Sequence, residues 1–273
     1  FFFQAEDGIR DCLLSRGLGD VYKRQIIQHA EDAELSKDGM INDGIIATKL
    51  GLQGIPISAE LLIIERDLTL LEYNSCRYHI SQISSANSVD IIRERKNKVN
   101  FSCGVSINNL SLNENDIGDF KTFLKLSPPL RTETDRNALV QGLNDETIDV
   151  IVSDHKPEDE ENKRLTFAQA ETGASGIETL LPLSLELYHN GSVELETIIK
   201  ALTSKPAEIL KINKGNLSIG NDADFCIVDI NKPWVVRKEK LISKSKNTPI
   251  EDKKLQGKVI STFVNGEELF KSE

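Results

Sequence analysis

Residues 148–157, Ile-Asp-Val-Ile-Val-Ser-Asp-His-Lys-Pro, constrain the fold more than any other stretch of this chain. A short apolar run ends in a carboxylate, and a histidine and a proline follow. Buried parallel strands read as such runs, and in barrel folds their carboxyl ends carry the reacting groups. The spacing predicts a strand over 148–154, with Asp154 on the same face as Val150 and Val152. A carboxylate at the end of an inward row needs a metal, a cation or donors. Asp154 is therefore a catalytic or metal-binding candidate, and a cap for the following loop is the alternative.

The rest of the chain repeats the alternation of strand and helix. Ile26 to His29 reads as a strand tail, and 42–50 as a short helix. Leu61, Leu62, Ile64, Leu68 and Leu71 recur at helical spacing over 58–73. Strands are expected at 77–83 and 99–105, with a helix at 88–98 between them. Residues 108–126 read as loop and short helix, and 132–144 as helix. Such alternation predicts parallel βα units, an α/β fold. The run Glu158-Asp159-Glu160-Glu161 reads as solvated surface. Helices are expected at 177–188 and 193–202, with a continuation at 206–210. After Gly215 the period changes to two, and 225–229 and 259–264 read as strands of a small β appendage, with Gly266 in a turn.

The 273 residues suffice for one large domain, or one domain and an appendage. A net charge of −10 argues against nucleic acid or an anionic membrane as the main partner. Four widely spaced cysteines form no CxxC pair, and a reducing cytoplasm is expected. Residues 1–25 resemble the translated read-through of a sequencing adapter, and a native N-terminal helix is the alternative. They are set aside, which leaves 26–214 as a βα domain and 215–273 as a β appendage. The sequence contains no GxGxxG, Walker loop or GxSxG elbow.

Among the histidines, His29 ends a strand, where an imidazole is held rigidly enough to ligate zinc or to serve the fold. Alternation over 77–83 puts Tyr78, Ile80 and Gln82 on one face and His79, Ser81 and Ile83 on the other. Gln82 is then the residue delivered to the strand's inner end, unless a bulge shifts the register. His155 is expected to support Asp154, and His189 to sit at a helix C-terminus.

Gln28-His29-Ala30-Glu31-Asp32, Arg77 to Ser84, Leu126-Ser127-Pro128-Pro129-Leu130-Arg131 and Val152-Ser153-Asp154-His155 resemble dihydroorotases in order and spacing. So do Gly176-Ile177-Glu178-Thr179, Gly220 to Asp224 and Asn247-Thr248-Pro249. Dihydroorotases are metal-dependent amidohydrolases. The resemblance implies a TIM-type βα barrel with a small β domain, of which this chain holds the C-terminal half, strands five to eight. It implies a zinc ion that activates water for attack on the ring amide of dihydroorotate, giving carbamoyl aspartate. Asp154 would be the general base and acid and also a metal residue, and His29 a zinc ligand.

Gln82 stands where the family places a ligand histidine, and a neutral amide is a poor zinc ligand. Ser127 replaces a substrate-binding asparagine, and Glu158 a substrate-contacting histidine. Gly173 and Ala174 occupy the substrate loop without its usual proline. Two readings follow. One is a zinc dihydroorotase with a reduced metal shell. The other is an inactive relative that serves as structural partner of aspartate carbamoyltransferase. A broader hydantoinase-type hydrolase is a third. The complete polypeptide is expected to be a cytoplasmic homo-oligomer. This chain by itself is expected to be inactive and marginal in solution, with open strand edges.

Overall fold

The computed structural model describes residues 25–74 and 76–272, in two compact units. The first is Phe1–Asn115 with Pro128–Ile148, and the second is Asp116–Ser127 with Asp149–Glu273. The adapter-like segment lies outside the described residues, except for Gln25, which opens the first strand.

The first unit is built on parallel strands in the order β1 (Gln25–Gln28), β4 (Arg77–Ile83), β5 (Ser102–Ser106). A two-residue parallel pair, β2 (Ile41–Asn42) with β3 (Gly54–Ile55), stands apart from them. The helices are α1 (Ile45–Leu50), α2 (Ser58–Tyr73), α3 (Ala86–Arg95), α4 (Ile107–Ser111) and α5 (Glu133–Asn144). The expected ends of α2 and β4 agree with those observed, because the apolar spacing there is unbroken. α2 buries Ala59, Ile63, Ile64, Leu68 and Leu71 along one stripe. Ile80, Ile83, Cys103 and Val105 are fully buried. Each such branched aliphatic contributes roughly 1.5–3 kcal/mol by leaving water.

Local signals fix the helix starts. Ser85 caps α3 by accepting from the Ser88 amide, so that helix begins at 86 and not at 88. Thr132 and Asp135 form a reciprocal capping box on α5. The α3–α5 packing is close at Gly142, where a Cβ would lie 3.1 Å from both Val89 and Ile148.

In the second unit β6 is only Val150–Val152, shorter than the expected 148–154. α8 (Leu195–Leu202) packs on β6, and α7 (Leu180–His189) packs on β8 (Lys254–Val264). α6 is a single turn, Glu160–Lys163, within the acidic run. α9 spans Ser204–Leu210, and Pro206 sits in its first turn, where its missing N–H costs nothing. The appendage is the antiparallel sheet β7 (Phe225–Val235), β8, β9 (Glu267–Lys271).

The appendage strands run longer than the period-two runs suggest. Asp229 Oδ1 accepts from the amides of Asn231 and Lys232, so β7 loops out near Pro233 and then resumes pairing. The expected turn at Gly266 is an Asn-Gly hairpin. Asn265 (φ 52°) and Gly266 (φ 81°) take the paired left-handed conformations of a type I′ turn.

Candidate active-site turn at Asp154

The chain leaves β6 at Val152, so Asp154 is not part of the strand's inward row, and strict alternation does not set its direction. It lies in a turn with φ 48°. A non-glycine residue in this left-handed region costs of order 1–3 kcal/mol and needs surroundings that hold it.

Those surroundings come from the loop that precedes α7. His155 forms a parallel bridge with Ala174, and the Lys156 amide donates to the Ala174 carbonyl at 2.9 Å. The Nδ1 of His155 accepts from the Gly176 amide at 3.1 Å and from the Ile177 amide at 3.4 Å. His155 therefore supports the turn beside Asp154, as its position suggests.

Two glycines make this pairing possible. A Cβ at Gly176 would collide with the Ser153 carbonyl oxygen. One at Gly173, whose φ is 140°, would lie 2.6 Å from the Lys156 carbonyl oxygen. Gly173 and Ala174 thus serve the floor of the turn through their main chain, and Ala174 is fully buried.

Asn247 ties the far side. Its Oδ1 accepts from the Ser175 hydroxyl at 3.0 Å and the Glu158 amide at 3.4 Å, and its Nδ2 donates to the Gly173 carbonyl at 3.2 Å. The Ser245 hydroxyl donates to the same Oδ1 and, at 2.5 Å, to the Glu158 carbonyl. The sequence marks Asn247-Thr248-Pro249 only as a matching motif, and its role as hub comes from the structure.

Two buried lysines hold the outer loops. Lys163 donates to the carbonyls of Thr122 (3.0 Å) and Glu171 (2.6 Å). Lys125 donates to those of Ala168 (3.0 Å) and Ala170 (2.8 Å). Burial pushes the Lys163 ammonium down to about 8, against the pull of Glu158 and Glu171. Burial also lowers Lys125, with Glu171 opposing. The acidic run is solvated at Asp159 to Glu161 as expected, but Glu158 is half-buried and its charge acts on Lys163. Ser127, half-buried, belongs to the same unit. Nothing in a sequence marks a lysine beside an acidic run as a buried clamp.

The remaining candidates belong to the first unit. The His29 ring is about one-third exposed, and its Nε2 lies 3.5 Å from Glu31 Oε2. His79 is buried with Nδ1 2.8 Å from the Ser102 hydroxyl, which fits a histidine satisfied by the fold. The register of β4 shifts between Ile80 and Ile83, which face Cys103 and Val105. This bulge returns Ile83 to the face of Ile80, so alternation misplaces Ile83, and the Oε1 of Gln82 is shut off from solvent.

A buried polar network, missed at the sequence level, lies nearby. The Glu60 carboxylate accepts from the Ser84 amide at 3.0 Å and from the hydroxyls of Ser84 and Ser88. Arg131 donates to the Ser84 hydroxyl (3.1 Å), Asn42 Oδ1 (2.8 Å) and the Ile55 carbonyl (2.6 Å), and Asn42 donates to Glu114. Arg131, the last residue of the Pro-Pro-Leu-Arg motif, therefore braces the scaffold.

Among the described residues, no three His, Cys, Asp or Glu side chains gather to hold a metal. Gln82 offers only a neutral amide and the His29 Nε2 lies against Glu31, so these residues alone do not complete a zinc site.

The sequence matches the amidohydrolase family profile over residues 5–269. The chain belongs to the amidohydrolase family. Similar curated proteins include the dihydroorotase of Ehrlichia canis (strain Jake), 43% identical over 243 residues, covering 88% of this chain and 54% of that one. The dihydroorotase of Anaplasma phagocytophilum (strain HZ) is 41% identical over 250 residues, covering 91% of this chain and 56% of that one. The chain spans about half the length of these relatives. Among solved structures, the L-hydantoinase (dihydropyrimidinase) of Arthrobacter aurescens superposes with a TM-score of 0.86 at 23% identity, covering 99% of this chain and 63% of that one. The dihydropyrimidinase of Brevibacillus agri NCHU1002 gives 0.81 at 20% identity, covering 98% and 68%. These likenesses establish the α/β amidohydrolase fold. Among the described residues, no helix is long and apolar enough to cross a membrane.

Proposed function

We propose that this chain is part of a dihydroorotase-type cyclic-amide hydrolase, which interconverts carbamoyl aspartate and dihydroorotate in pyrimidine synthesis. The observation that carries the reading is the Asp154 turn, a carboxylate in a strained left-handed conformation braced by His155, Gly176 and Asn247. The identity to proteins named dihydroorotase supports it.

In this reading β1, β4, β5 and β6 are strands five to eight of the barrel, and β7 to β9 are part of the small β domain. Asp154 takes a proton from the attacking water as its oxygen bonds to the ring carbonyl carbon. The carbon–nitrogen bond then breaks, and Asp154 returns the proton to the leaving nitrogen. Such acid–base work is worth roughly 10²–10⁴-fold in rate. Ring closure is the same path reversed. Ser127, Glu158, Gly173 and Ala174 are proposed near the substrate, with Lys163 partly offsetting the Glu158 charge. His29 is proposed as a metal-side residue and zinc as the metal. The complete protein is proposed to be cytoplasmic and homo-oligomeric.

Gln82 favours a second reading, a non-catalytic relative that pairs with aspartate carbamoyltransferase. The two separate when the complete protein is purified. Stoichiometric zinc with turnover of carbamoyl aspartate supports the enzyme. A metal-free, inactive protein that co-purifies with the transferase supports the partner.

A further inference from the structure

We infer that His155 is a positioning residue for Asp154: its ring, anchored through Nδ1 on the main chain of Gly176 and Ile177, maintains the left-handed turn that sets the direction of the carboxylate. The inference deepens the proposed function and rests on it for its catalytic consequence, though not for its geometry.

Asp154 adopts φ 48°, so something outside the residue must keep it there. On its upstream side, the Ser153 carbonyl oxygen lies against Gly176, where a Cβ would collide with it. On its downstream side, the Lys156 amide is bonded to Ala174. Between these contacts the His155 ring accepts from two successive amides, those of Gly176 and Ile177, at 3.1 and 3.4 Å. The segments on both sides of Asp154 are therefore fastened to the same short stretch, 174–177.

A nitrogen that accepts carries no proton, so in the neutral ring the proton resides on Nε2. The ring's contribution is an acceptor at one point in space. Asparagine can place its Oδ1 near that point. Leucine has comparable bulk but no acceptor, and it would leave both amides without their bond to the ring.

The test compares wild type, His155→Asn and His155→Leu in the complete protein. The readouts are the ¹³C resonance of the Asp154 carboxylate, identified by its loss in Asp154→Asn, and the exchange rates of the Gly176 and Ile177 amides. In His155→Leu the carboxylate resonance should move and both amides should exchange at least ~10-fold faster. In His155→Asn both should return toward wild type. Turnover of dihydroorotate should fall ~100-fold in kcat for the leucine variant, with KM nearly unchanged, the size expected of a misplaced group. A carboxylate resonance that stays put in both variants overturns the inference, even if the leucine variant melts lower. If the resonance moves and is rescued but wild type turns over no dihydroorotate, the proposed function fails and the positioning role stands.

Discussion

The two units bury charge in different ways. In the first, the Glu60 carboxylate and the Arg131 guanidinium are each almost wholly enclosed and share the Ser84 hydroxyl between them. Serine donors satisfy Glu60, Arg131 donates to neutral oxygens, and burial lowers the Arg131 pKa against the pull of Glu60 and Asp135. In the second, Lys125 and Lys163 are enclosed and, among the described residues, their ammonium groups donate only to main-chain carbonyls, and burial lowers the pKa of both. The difference separates a network in which a buried cation and a buried carboxylate share a hydroxyl from loops held by bonds from lysine to main-chain carbonyls.

Breaking the brace should have the largest effect. Arg131→Leu leaves Glu60 buried without its cation and should cost roughly 3–5 kcal/mol of stability, read by urea unfolding. A loss under about 1 kcal/mol would show that Glu60 is satisfied by the serines alone and would remove the contrast. Next comes Gly176→Ala, whose methyl meets the Ser153 carbonyl oxygen. It should cost about 1–3 kcal/mol and speed hydrogen exchange over 153–156. Unchanged exchange there would mean that the turn does not depend on the close approach.

The lysine clamp gives a signed pH effect. Lys163 is lowered from 10.5 to about 8 in the folded chain, so between those values the unfolded chain holds the proton more tightly. The burial penalty is complete below about 8. Stability should rise as pH increases from about 8 toward 10.5. Lys163→Met should lack that rise, and parallel wild-type and variant curves across the window would sharpen the comparison against us.

The smallest effect is expected at Glu133, which the Arg136 guanidinium and the Asn113 amide hold at about 2 in place of 4.5. Its contribution is present above 4.5 and lost as pH falls through about 2. The side chain is half-exposed, so Glu133→Gln should cost under about 1 kcal/mol at pH 7, seen as a small shift in the unfolding midpoint.

What the sequence revealed followed physical periodicity. α2 and β4 were readable because unbroken apolar spacing sets both their ends. The Asn-Gly hairpin was readable because few residues accept its backbone. β6 was read too long: Ser153 and Asp154 continue an alternating pattern, yet their main chain turns away to meet Ala174 and Gly176. A pairing with residues some twenty positions later leaves no local mark. The same holds for Lys163 and Asn247, whose partners lie 41 and 89 positions away. The bulge in β4 was foreseen only as a condition, since nothing in Ser81-Gln82 announces it. His29, Gln82 and Asp154 stand out by strand-end position and alternation, and the motifs then coincide with them. Of these, Asp154 has a left-handed backbone and neighbours fastened to 174–177, features that alternation does not foretell.

The most direct test is the steady-state interconversion of carbamoyl aspartate and dihydroorotate by the complete protein, comparing wild type with Asp154→Asn. The account predicts a fall of at least ~100-fold in the variant, with an unchanged unfolding midpoint. Equal turnover by the two proteins would contradict it.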